Sequence, residues 1–139
     1  MGNNSNGKLW FFRELFYSKA FNELNKTGIK VLIHFHLKTE YVKVKSLNNE
    51  RWIPNPDKHI SFTYKEANKR LGISKPVFSK ALTDLIEHGF IIQTHLGGGL
   101  QGDYSKFELS EMWKLYGKND FEIKPREKSV RKIGFMRKK

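Results

Sequence analysis

The chain has 139 residues, no cysteine, and 26 Lys and Arg against 14 Asp and Glu, a formal net charge of +12. The lack of cysteine excludes a disulfide framework and a thiolate metal site, and no run of about 18 apolar residues argues for a membrane span. The charge points to a polyanionic partner, nucleic acid ahead of an anionic membrane surface. Eleven Phe, five Tyr and three Trp are enough bulk for one domain with its own core.

Residues 1–8 are small and polar and are expected to be disordered. A polar start and a short apolar patch followed by Arg13 and Glu14 do not make a secretory signal, so a cytoplasmic protein is expected. The segment Leu9–Phe16, with Trp10, Phe11, Phe12 and Phe16, is bulky enough to cover a core or to form a homodimer surface. Residues 29–38 alternate apolar and polar, broken by Leu32, and taken alone resemble a strand. The fold argued below needs a helix over 27–38 instead, with Ile29, Leu32, Ile33 and His36 on one side. Residues 46–59 hold two prolines and three asparagines and are expected to form a loop.

The middle of the chain carries the strongest local signals. Thr63-Tyr64-Lys65-Glu66 has capping-box spacing, in which the Thr63 hydroxyl accepts the Glu66 N–H and the Glu66 carboxylate reaches back. A helix then runs to Leu71, with Gly72 as a left-handed stop and Ala67 and Leu71 facing the core. Ser74 is placed to cap a second helix, with Pro76 in its first turn. Phe78, Ala81, Leu82, Leu85 and Ile86 recur at helical spacing, and Gly89 ends the element. Two helices separated by so short a turn have helix-turn-helix spacing. Residues 90–95 are β-branched and aromatic and predict a strand. Gly97, Gly98, Gly99 and Gly102 mark a loop, and residues 104–109 alternate, with Phe107 and Leu109 on one face. A hairpin over 90–109 follows, then a short helix that starts at Ser110 and Glu111, includes Trp113 and ends at Gly117. Residues 118–139 carry nine basic and three acidic side chains, a net +6, and are expected to be a disordered basic tail beyond a domain of residues 9–117.

Helix, turn, helix, hairpin is the order of a winged helix, an α+β winged helix-turn-helix domain with a C-terminal two-stranded wing. The stretch ISFTYKEANKRLGISKPVFSKALTDLIEHGFI resembles the winged helix-turn-helix proteins of bacterial mobile elements and phages. The features that carry the resemblance are a T-x-x-E start, L-G-I-S at the turn, S-K-A-L in the second helix and a G-F-I exit. Upstream SKAFNELNKTGIKVLIHFHLK and downstream LSEMWKLYG extend it over roughly residues 9–120. The resemblance implies that the second helix enters the major groove of double-stranded DNA, in a transcription regulator or a replication initiator.

With Phe78, Ala81, Leu82 and Leu85 inward, the residues left for DNA on that helix are Ser74, Lys75, Pro76, Val77, Ser79, Lys80 and Thr83. Lys75 and Lys80 suit phosphate or a guanine edge, Ser79 and Thr83 donate and accept, and Val77 fits a thymine methyl. Asp84 and Glu87 repel phosphate, so contact concentrates on the leading half. Lys65, Lys69 and Arg70 on the preceding helix are candidates to hold phosphate; a solvated basic face is the plainer reading. The wing offers Lys106 and His95 only, and its glycines lack the Gly-Lys-Ser/Thr ending of a phosphate-binding loop. An interaction module that binds a protein rather than DNA is the first alternative, given so weakly basic a wing. A more distant one is a metal-dependent nuclease: His34-Phe35-His36 would set two imidazoles on one face of a strand. Neither a Tyr-x-x-Lys nucleophile motif nor another catalytic signature accompanies that pair, so neither enzyme activity nor a cofactor is expected.

Overall fold

The computed structural model describes residues 9, 11–97 and 104–127. Trp10, the expected disordered residues 1–8, Gly98, Gly99 and Gly102 of the loop, and residues 128–139 lie outside the described residues.

Two short helices open the chain, α1 (Arg13–Tyr17) and α2 (Lys19–Asn22). Ser18 separates them. Its extended backbone ends the first, and its hydroxyl accepts the Phe21 N–H at 3.1 Å to cap the second. Leu15 and Ala20 are buried and Phe11 and Phe21 pack at the core edge, whereas Phe12, Phe16 and Tyr17 remain exposed. The aromatic segment therefore covers the core with one side only.

α3 (Lys26–Lys38) is the helix expected over 27–38. The Asn25 side chain caps it by accepting the Gly28 N–H at 2.7 Å. Gly28, Val31, Leu32 and Phe35 are buried at i, i+3, i+4 and i+7, with His34 buried beside them. The expected face is corrected: Ile33 is 37% exposed and Ile29 only packs against the edge. Alternating apolar residues placed on a helix leave apolar groups on both sides, and Phe35 decides which side turns inward.

Residues 46–59 are not the loop their prolines suggest. β1 (Tyr41–Ser46) and β2 (Asn49–Pro54) pair antiparallel, from Tyr41 opposite Pro54 to Ser46 opposite Asn49, and Leu47-Asn48 form the turn. Pro54 is the last residue of its strand, where a missing N–H costs little. Asn55 closes the base, its N–H and side-chain amide both donating to Glu40 at 2.8 Å. No residue of either strand is buried.

The rest of the chain forms the main body. β3 (Ile60–Ser61) leads into α4 (Tyr64–Leu71) and α5 (Lys75–Glu87), then β4 (Ile91–His95), β5 (Lys106–Leu109) and a 3-10 turn, Met112–Leu115. The second sheet has the order β3-β5-β4, antiparallel throughout, with an irregularity between Gln93 and His95. Phe35 of α3 meets Phe62 at 5.1 Å and Phe107 of β5 at 5.5 Å between ring centroids, and Phe62 meets Phe78 of α5 at 5.0 Å. These rings join two helices to the sheet through one apolar centre. Gly72 (φ 68°) ends α4 as expected, and Gly89 (φ 85°) makes the turn after α5. The class is α+β, and the arrangement is compatible with a winged helix.

Candidate nucleic-acid interface

The capping box at α4 is half made. Thr63 Oγ1 accepts the Glu66 N–H at 3.2 Å, but the Glu66 carboxylate does not return to the cap. It takes the Lys38 ammonium instead, at 2.6 and 2.7 Å, and lies 3.6 Å from His34 Nε2. Burial works to raise the pKa of Glu66, and the bonds from Lys38 and His34 outweigh it and hold the carboxyl below its ordinary value. An ion pair at the end of α3 thus clamps the start of α4, and the helix pair is set on a fixed base.

His34 and His36 lie on a helix, so they do not share a face. The His34 ring packs against Phe62 and points to Glu66, while His36 packs edge-on to Phe11, 4.7 Å between centroids. This corrects the strand geometry on which a metal pair would depend. Among the described residues no group of three His, Cys, Asp or Glu is placed to hold a metal ion.

The turn Gly72-Ile73-Ser74 carries the chain from α4 to α5. Ser74 has extended backbone angles at the N-cap position, but its hydroxyl makes no cap bond, contrary to the expected cap. The first-turn N–H groups of α5 therefore have no acceptor from that side chain, and Pro76 has no N–H to satisfy. Phe78, Ala81, Leu82, Leu85 and Ile86 are all buried, as their spacing predicts. Lys75, Pro76, Val77 and Lys80 are exposed on the leading half of the helix. Lys80 reaches Asp84 one turn on, at 3.5 Å, with 70% of its side chain still exposed. On α4, Lys65, Lys69 and Arg70 are exposed, and Arg70 Nε lies 3.9 Å from Glu66. Lys106, exposed on β5, sits opposite Ser61 and His95. Lys75, Pro76, Val77 and Lys80 thus share one half-helix, whereas Lys65, Lys69, Arg70 and Lys106 belong to other elements.

Ser79 and Thr83 have a different environment from the one expected. Both are partly buried on the flank of α5, and Arg126 lies against them. Its Nη1 donates to the Ser79 carbonyl at 3.0 Å, to Ser79 Oγ at 2.9 Å and to Thr83 Oγ1 at 3.3 Å. Burial lowers the Arg126 pKa, yet a guanidinium keeps its charge at any ordinary pH. Next to it, Glu127 and Gln93 exchange two hydrogen bonds, at 2.7 and 3.0 Å. Residues 118–127 therefore form a strap fastened to α5 and β4, not the free tail that composition suggests. Sequence reasoning missed Arg126 because nothing local distinguishes it from the other basic residues after 117.

Comparison with protein-family models, with curated proteins and with solved structures gives no match.

Proposed function

We propose that the chain is a winged-helix protein that binds double-stranded DNA, with α5 in the major groove, and that it acts in transcription or replication control of a mobile element. The observation that supports this reading most directly is the leading half of α5. After a three-residue turn from α4 it presents Lys75, Pro76, Val77 and Lys80 to solvent, with its first-turn N–H groups uncapped by Ser74. The positive end of a helix dipole and two ammonium groups favour a phosphate there, and Val77 adds an apolar contact for a base edge. Asp84 and Glu87 place acidic groups further along the helix, so the leading half is the part suited to approach the backbone. Lys65, Lys69 and Arg70 of α4 are the positioning cations in this reading.

The test is duplex binding by fluorescence anisotropy with wild type and Lys80→Ala. The Lys80 side chain is mostly exposed, so the fold is expected to be intact by circular dichroism. Affinity for a preferred sequence should fall by about tenfold, the size of one base or phosphate contact. Unchanged affinity in a folded variant would take α5 out of the reading role and favour the protein-interaction module.

A further inference from the structure

The β1–β2 ribbon has no core role that explains it. None of its residues is buried, and Trp52 is 58% and Leu47 102% exposed. A two-stranded ribbon standing alone is marginal in water, and exposed indole adds an unfavourable apolar surface to it. The register sets Lys43 opposite Trp52 and Lys45 opposite Glu50 on one face, with Val44 opposite Arg51 on the other. The Lys43 ammonium lies 6.0 Å from the Trp52 ring centroid, and Lys43 and Lys45 are 3.2 and 3.6 Å from Glu50. One flat aromatic surface thus shares its face with two cations that divide a single carboxylate between them. Arg51, next to Trp52 in the strand, is exposed and adds a third cation from the opposite face.

We infer that this ribbon is a second nucleic-acid site, specific for an unpaired strand: Trp52 stacks on an exposed base while Lys43 and Lys45 meet the flanking phosphates. Arg51 adds to the positive field from the far side of the ribbon. Aromatic stacking within a basic surface is the chemistry that holds single strands without reading sequence, and the net charge of +12 favours a polyanion over an apolar partner. Glu50 acts as the internal competitor: phosphates displace it from the two lysines. The inference rests on the duplex-binding reading, since it places the unpaired strand beside a duplex held by α5.

The experiment compares the full chain on a blunt duplex and on the same duplex with a single-stranded overhang. Wild type should bind the overhang substrate about tenfold more tightly. Trp52→Ala should abolish that difference and leave blunt-duplex affinity unchanged, Trp52→Phe should keep most of it, and Glu50→Gln should enlarge it. No overhang preference in wild type, or a preference that Trp52→Ala leaves intact with the fold unchanged by circular dichroism, overturns the inference. Failure of the duplex reading looks different: blunt duplex is not bound at all, whatever the ribbon does with an oligonucleotide.

Discussion

His36 shows how a single position can set a pH limit. Its ring lies against Phe11, its Nδ1 is buried without a hydrogen-bond partner among the described residues, and burial pushes its pKa down to about 4. In the unfolded chain the same imidazole titrates near 6.5. Below that value the unfolded state takes up a proton that the folded state resists, so stability is full above about pH 6.5 and declines as pH falls toward 4. Between pH 7 and pH 5 the loss from this group is about 2 kcal/mol. Urea denaturation at the two pH values should show it, and His36→Leu should remove most of it. An undiminished loss in the variant would assign the acid sensitivity to other groups. Glu66 behaves in a related way: its carboxyl was legible as half of a capping box, but only the approach of Lys38 from α3 reveals its actual partner.

At the scale of elements, Gly72 and Gly89, two of the left-handed glycines, test how α4 and α5 are stopped. A Cβ on Gly72 meets nothing within 4 Å, so Gly72→Ala carries only the cost of its backbone angle, about 1–2 kcal/mol. A Cβ on Gly89 would stand 2.6 Å from the Trp113 nitrogen and 2.8 Å from the Met112 carbonyl carbon. Gly89→Ala must also push away the 3-10 turn, whose Trp113 N–H donates to the Gly89 carbonyl at 3.0 Å. Its denaturation midpoint should fall further than that of Gly72→Ala. Equal losses would mean that the turn yields freely. Helix ends were readable in advance because a glycine after an apolar stripe is a local signal. The crowding around Gly89 was not, because it comes from residues more than twenty positions away.

For the whole molecule, the distribution of charge decides how DNA binding should respond to salt. Nine of the 26 basic residues follow Gly117, and of the described ones Arg126 is held against Ser79 and Thr83 of α5. Removing residues 118–139 should make the log–log salt dependence of duplex binding shallower, by about 0.9 for each phosphate that this segment neutralises. Specific binding should survive in the folded truncated chain. If binding disappears altogether, the affinity came from a nonspecific basic arm, and the interaction-module reading becomes the better one.

What the sequence determined by itself is the set of features with a local cause. The helix pair follows from a cap, a glycine and an apolar repeat, and the hairpin at 90–109 follows from β-branched residues around glycines. The basic character needs no structure at all. Tertiary structure alone decided the rest, because each outcome compares alternatives that are locally close in energy. Residues 29–38 alternate like a strand, yet they belong to α3 since Val31, Leu32 and Phe35 then reach the same core as Phe62, Phe78 and Phe107. Residues 46–59, with two prolines and three asparagines, look like a loop, yet 49–54 pair with β1 in a register that puts Pro54 at the strand end. Arg126 is one cation among many until the fold carries it to α5, where its hydrogen bonds to Ser79 and Thr83 depend on residues more than forty positions apart.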